Sequence, residues 1–372
     1  FHYIVSNKWM RTNYGKALRK FIQQYQIKSI IDFGDLQVFE EATTYPCLFQ
    51  LQKKGIDSTF IASEIGNLEF DSLEAVLKRD QFEVEQKMLM NEGWTLVTKD
   101  QQYLIRKLEE SNKQLDGFIE GEVYRGVLTG LNEAFVIDEE TRKKLIKDDS
   151  KSDKLIKPYL RGRDIKRYEE PKTDNYLIFT RRGVNIDDYP AIEEHLKKFK
   201  AQLEPRPKNV ASSEWEGRKP GSYKWYEIQD TVEYYKEFDR PKIMYQVFQV
   251  APGFTYDTNG AFSNNSIWIM PNADKSLLGI LNSKLGWFFI STYCTEIRNG
   301  YQLIYKYLKN IPIASEQSKN KKIESLVDQI LNAKDEEPEA DTSELEEEID
   351  QLVYELYGLS DEEIGIVEES VD

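Results

Sequence analysis

Apolar and polar positions change period three times along the chain. Residues 1–62 open with FHYIVS, a short apolar run of strand type, and continue into a helix carrying Leu18, Phe21 and Ile22. IKSIIDFG follows as a second strand ending at Gly34, and YPCLFQLQKKG as a third ending at Gly55. Strand, helix, strand, strand is the way a Rossmann-like sheet closes. Residues 63–120 switch to spacings of three and four. LEFDSLEAVLKRDQFEVEQKML and QQYLIRKLEESNKQLDGF read as a helical connector.

Residues 121–315 alternate short strands with turns and helices. The expected strands are EVYRGVLT, NEAFVID, NYLIFT, PKIMYQVF, FTYD and SIWIM. The expected helices are DEETRKKLIK, YPAIEEHLKKFKAQL and KSLLGILNSKLGWFFISTY. Pro and Gly punctuate the stretch from Leu203 to Tyr223, which reads as a long irregular loop. Residues 316–372 return to helical spacing. Ile323, Leu326, Val327, Ile330 and Leu331 share one face, and Leu345, Ile349, Leu352, Val353 and Leu356 another. The acidic turn DEEPEADT lies between them, with Ser343 as the expected helix cap. A helical hairpin docked on the body or on a partner is expected. The fold class is therefore mixed α/β: the end of a Rossmann-like sheet, a mixed recognition domain and a helical tail.

Composition narrows the chemistry. Two histidines, His2 and His195, and two distant cysteines, Cys47 and Cys294, cannot supply a zinc site of ordinary spacing or a disulfide framework. This usage suits a reducing cytoplasm. His195 sits in the charged segment EEHLKKF and reads as a surface residue. The most apolar stretch, Leu277 to Tyr293, is interrupted by Asn282, Ser283 and Lys284, so a buried helix is expected and no membrane span. No Gly-rich nucleotide loop is present.

The net charge of −15 hides a partition. Residues 335–372 hold 17 acidic side chains and no Lys or Arg. Without them the chain is close to neutral, and the span from Arg142 to Lys242 carries a net charge of +6. A basic middle permits a nucleic-acid surface, although charge runs are also ordinary solvated surface.

Three stretches and the tail, taken in order, resemble one family. IVSNKWMRTNYGKALRKFI with IKSIIDFGDLQVFEEATTYPCLFQL resembles the end of the catalytic domain in adenine-N6 DNA methyltransferases of the type IIG and TaqI-like groups. VYRGVLTGLNEAFVID with LIKPYLRGRDIKRY resembles the start of the TaqI-like specificity domain, and LLGILNSKLGWFF with YKYLKNIPI resembles its close. SELEEEIDQLVYELYGLSDEEI resembles the helical end common in these proteins. The resemblance implies double-stranded DNA as partner, an upstream methyltransferase domain, and S-adenosylmethionine as cofactor of the intact protein. The family's Asn-Pro-Pro-aromatic motif, whose loop holds the extruded adenine, does not occur in these 372 residues. No catalytic, cofactor-binding or metal-binding residue is therefore expected here, and the chain alone is expected not to methylate DNA.

The DNA-contact candidates each have a plainer reading. In RGRD, Arg161 and Arg163 suit phosphate clamping or guanine recognition, or else form a turn paired to Asp164. In GVLTGLN, Thr129 and Asn132 suit backbone contacts, or a bulge at the domain entrance. Arg181 and Arg182 follow the strand NYLIFT and point toward a groove, or belong to an ordinary exposed pair. The loop holds Arg206, Lys208, Arg218, Lys219 and Lys224 among Trp215, Tyr223, Trp225 and Tyr226. Cations neutralise phosphate and aromatic faces stack on bases, or the aromatics anchor the loop to the core. Asn264 and Asn265 match adenine's edge, or make a turn before SIWIM. Asn282, Ser283 and Lys284 are expected to be structural. EPK at 170–172 and DSK at 149–151 fit a short nuclease pattern too common to assign. Two rival readings stand beside DNA recognition by a methyltransferase fragment: a stand-alone specificity subunit, and an interaction module without DNA binding.

Overall fold

The first strand, β1 (His2–Ser6), lies at the edge of a five-stranded sheet. Its partners are β2 (Gln26–Asp32), β3 (Pro46–Gln52), β4 (Thr59–Glu64) and β5 (Gln81–Glu85), in the order β1-β3-β2-β4-β5. β3 runs antiparallel between β1 and β2, and β2 pairs parallel with β4, so β1, β2 and β4 point the same way. This computed structural model describes the whole chain except residues 42, 43, 54, 56, 90–92, 120, 298 and 372.

The sheet passes the expected boundary at residue 62. Leu73–Asp80 forms a helix, but QFEVE leaves it as β5, antiparallel to β4. The helical reading of this stretch failed because period two takes over at Phe82, and Val84 is fully buried under the sheet. The second expected connector helix does form, from Lys99 to Ser111, with Thr98 and Gln101 making a reciprocal capping box. On the first helix, Lys16–Ile22, only Ile22 of the three apolar residues is buried; Leu18 and Phe21 face solvent.

Two four-stranded sheets form the middle of the chain. One orders Phe262–Ser263, Ile156–Leu160, Asn175–Ile178 and Val136–Asp138; the other orders Phe254–Asp257, Lys242–Gln246, Ile267–Pro271 and Tyr124–Arg125. Of EVYRGVLT only two residues are strand, and NEAF is a helical turn before the strand Val136–Asp138. A third, three-stranded sheet joins Phe248–Gln249, Gly300–Gln302 and Thr295–Ile297. A buried ion pair between Lys242 and Asp257 ties neighbouring strands of the second sheet, both side chains being fully excluded from water.

The apolar stretch near the end of the middle region splits at Ser283 into helices Lys275–Asn282 and Lys284–Tyr293. The Ser283 hydroxyl accepts from the Gly286 amide and caps the second helix. Asn282 exchanges hydrogen bonds with the backbone of Phe254 at 3.0 Å each way, and Asp350 accepts from the Lys284 amide at 2.8 Å. These contacts give Asn282 and Ser283 the structural role expected of them.

The tail packs on this body and has three helices, Gln317–Glu336, Ser343–Tyr357 and Asp361–Glu369. Thr342, one residue before the expected Ser343, is the capping position of the second. Ile323, Val327, Ile330, Ile349 and Val353 join the same core as Leu277, Ile280 and Leu281. The helices meet at Gly279, where an added Cβ would lie 2.5 Å from the Ile323 methyl.

Candidate nucleic-acid interface

The loop from Leu203 to Asp230 is organised around a buried arginine. Arg218 is 5% exposed and donates to the carbonyls of Leu203, Thr129, Glu227 and Trp225 at 2.7–3.0 Å. Its guanidinium lies 4.4 Å from the Tyr223 ring centre. Burial pulls its pKa down to about 10, still charged at neutral pH. Arg182 approaches the same ring at 5.2 Å and donates to the carbonyls of Ile228, Gln229 and Asp230. Backbone carbonyls in a chain turning back on itself have no sheet partners, and the two guanidiniums satisfy them.

This corrects the reading of Arg218 and Arg182 as DNA-contact cations: their hydrogen bonds go to backbone carbonyls of the loop and of Thr129. Thr129 is likewise buried, its hydroxyl donating to the Asn132 side chain at 2.7 Å while its carbonyl receives Arg218 and the Gln229 amide. The aromatics follow the plainer reading as well. Tyr223 and Tyr226 are buried, Trp225 packs edge-on against Tyr226, and Trp215 donates to the Glu204 carbonyl. Arg206 holds the Val210 carbonyl at 3.0 Å. Lys208, Lys219 and Lys224 remain exposed on the loop's outer side, as does Asn132 in the segment it packs against.

Strand ends bring the other candidates together. The Asn264 amide donates to the Leu160 carbonyl, Val127 bridges Asn264, and the Val247 amide donates to Ser266. RGRD, Asn264–Asn265 and GVLTG therefore share one rim. The backbones approach so closely that a Cβ on Gly126 would sit 1.9 Å from the Asn264 carbonyl oxygen. On this rim Arg161 donates to the Asn175 side chain at 2.7 Å, and Asn264 accepts from the Ser266 amide and hydroxyl as a turn residue. Arg163 is the extended cation: its side chain is 74% exposed and its nearest carboxylate, Asp164, lies 3.9 Å away. Asn265 is exposed beside it. Arg181 stands over the Tyr235 ring at 4.6 Å. The acidic tail reaches the other side of RGRD. A cleft of about 220 Å³ there is lined by Arg163, Lys166, Lys172, Glu169, Lys334 and Asp335, with Lys172 paired to Asp335 at 2.7 Å.

A carboxylate cluster not anticipated from the sequence lies at the carboxyl ends of the parallel strands. Asp32 and Glu64 are register partners at the ends of β2 and β4. Arg11 lies near both and near Glu296 of the three-stranded sheet, and donates to the Cys294 carbonyl at 2.9 Å. Glu64 is exposed by area at the end of β4, yet desolvation by the surrounding chain, with Asp32 and Glu296 close by, raises its carboxyl against the pull of Arg11. The available signal was that both carboxylates end a parallel strand, where open α/β sheets place ligands. His195, expected at the surface, is part-buried; its Nε2 lies 3.1 Å from the Ala134 carbonyl, and desolvation lowers its pKa. Cys47 and Cys294 are both free and buried.

Parts of the chain match known protein families. Residues 157–313 match the TaqI-like C-terminal specificity domain, and residues 1–39 match the Eco57I restriction-modification methylase. The chain is 26% identical to the type II methyltransferase M.BstVI of Geobacillus stearothermophilus, over 99% of this chain and 66% of that protein. It is 24% identical to M.PaeR7I of Pseudomonas aeruginosa, over 97% of this chain and 62% of that protein. It thus spans somewhat under two thirds of the length of these curated relatives. The type IIL restriction-modification enzyme MmeI, solved in complex with DNA, shares the fold across the full chain and 49% of its own length, with a TM-score of 0.63 at 14% identity. Residues 157–313 are thus similar to the TaqI-like C-terminal specificity domain, and the chain over nearly its whole length is similar to type II methyltransferases.

Proposed function

We propose that this chain reads duplex DNA for an adenine-N6 methyltransferase of restriction-modification type. It would do so beside a catalytic unit that supplies the Asn-Pro-Pro-aromatic loop and holds S-adenosylmethionine. The observation that carries the reading is the rim on which RGRD and Asn264–Asn265, inside the matched specificity region, converge with GVLTG. Arg163, Arg181, Lys208, Lys219 and Lys224 serve as phosphate contacts, and Asn265 and Asn132 face base edges or sugar. Arg218, Arg182 and Thr129 hold these groups in place. The relation to a DNA-bound enzyme of the same fold supports this assignment.

The catalytic unit has a place to pack. Phe1, the β1 residues Tyr3 and Ile4, and Tyr14, Leu18 and Phe21 in the segment that follows are 42–70% exposed. An uncovered strand edge with apolar neighbours suits a further strand.

Titration of the chain into labelled random duplex tests the reading. Binding should weaken steeply with salt, the logarithmic slope being about −0.9 per phosphate neutralised. Lys208→Ala with Lys219→Ala should reduce that slope by about two while leaving the thermal transition unchanged. Absence of binding at low salt would overturn the proposal.

A further inference from the structure

Large apolar side chains exposed to water are unevenly placed. Among the described residues beyond Tyr103, they are Phe248, 40% exposed, and Val250, 64% exposed. Both belong to the turn that leaves the strand Lys242–Gln246 and returns as Phe254–Asp257. This turn is braced from beneath. Gln249 is buried; its side-chain amide donates to the carbonyls of Gln246 and Gly253, and its side-chain oxygen accepts from the Gly253 amide at 2.9 Å. Phe248 and Gln249 pair with Gln302 and Tyr301 in the three-stranded sheet, and the Leu303 amide closes on the Val247 carbonyl. Strand alternation turns Phe248 away from the Gln249 side, and Val250 follows the strand with one methyl near Gly300 and most of its surface open. The chain therefore spends a built support on displaying two apolar groups to solvent.

Their neighbours identify the occupant. Gln246 donates to the Gly162 carbonyl, and the Val247 amide donates to Ser266, so the turn rises beside the exposed Arg163 and Asn265. A cation and an amide flanking an apolar projection match the duplex surface: phosphates outside, stacked bases within. The opposite face of the same small sheet holds Glu296, which belongs to the carboxylate cluster at the carboxyl ends of β2 and β4.

We propose that Phe248 and Val250 form a wedge that enters the base stack of bound duplex DNA and unstacks one step. Unstacking is a cost that an enzyme acting on an extruded base must meet, and a rigid apolar insert lowers it. This inference rests on the DNA-reading function proposed above.

The test takes a sequence retained by the wild-type chain from a pool of randomised duplexes. 2-Aminopurine then replaces each adenine of that sequence in turn. The wild-type chain should brighten the probe at one step. Phe248→Ala with Val250→Ala should abolish the brightening and weaken binding about tenfold, with the salt slope and the thermal transition unchanged. Phe248→Leu should restore most of both. Brightening that persists in the double variant, or affinity that does not change, overturns the wedge and leaves DNA reading standing. A wild-type chain that retains no duplex overturns the DNA-reading function itself.

Discussion

Among single residues, arginines divide by what their guanidiniums face. Arg218 meets carbonyls inside the protein, Arg163 meets water, and sequence spacing alone does not distinguish them. Arg218→Leu removes a donor from each of the carbonyls of Leu203, Thr129, Glu227 and Trp225, of which Thr129 keeps the Gln229 amide. It should cost about 3 kcal/mol by urea denaturation, whereas Lys219→Ala should stay within about 0.5 kcal/mol. Equal effects would contradict the architectural role. Glu64 makes a prediction about pH. Its carboxyl is raised from the ordinary value of 4.5 to about 7, so the folded state keeps a proton that the unfolded state has released. Stability from this group is therefore fullest below pH 4.5 and declines as pH rises toward 7. Asp32 and Glu296, raised by the same desolvation, act in the same direction. Glu64→Gln should flatten that part of the stability profile and stabilise the protein at pH 8; an unchanged slope would refute the assignment.

Between elements, the decisive contact is that of the tail with the apolar helix Lys275–Asn282. Small size at Gly279 lets Gln317–Glu336 approach within side-chain reach of the helix backbone. Gly279→Val would drive a branched side chain into Ile323 and Val327, costing about 2 kcal/mol. Its signature should be faster proteinase K cleavage in residues 337–342, between the first two tail helices, before the rest of the chain is cut. Ion pairs reinforce the docking. Arg167 meets Glu346 at 2.8 Å, and Lys107 meets Glu363 at 2.6 Å. Each pair keeps its cation open to solvent and contributes little individually, so high salt should leave the tail in place.

For the molecule as a whole, the uncovered edge of β1 is the feature with consequences. Phe1, Tyr3 and Ile4 present a row that pairs with whatever strand arrives. Purified chain should self-associate as its concentration rises, and Ile4→Lys should shift sedimentation toward a single species without lowering the melting temperature. Concentration-independent sedimentation of the wild type would show that the edge is innocuous. The same scale explains how a chain of net charge −15 can offer a cationic rim. The acidic tail helices sit against the body and pair with Lys107, Arg167, Lys172 and Lys284, while Arg163, Lys208 and Lys219 lie outside those pairs.

Local order was legible in the sequence wherever a single period ran long enough. The Lys99–Ser111 helix, the faces of Gln317–Glu336 and Ser343–Tyr357, and the strands NYLI, FTYD and IWIMP follow from spacing, because amphipathic burial imposes it. QFEVE was misread because five residues inside a helical stretch carry too short a signal. IKPYL escaped notice because its proline and lysine break the alternation. The basic middle and acidic tail were also fixed by composition. Tertiary structure alone decided which cations are spent inside the fold, how strand ends from Leu160, Ser263 and Gln246 meet on one rim, and where Phe248 and Val250 are displayed. It also brought Glu64 to Glu296, more than two hundred residues away. Those outcomes depend on contacts between distant segments, and no local pattern encodes them.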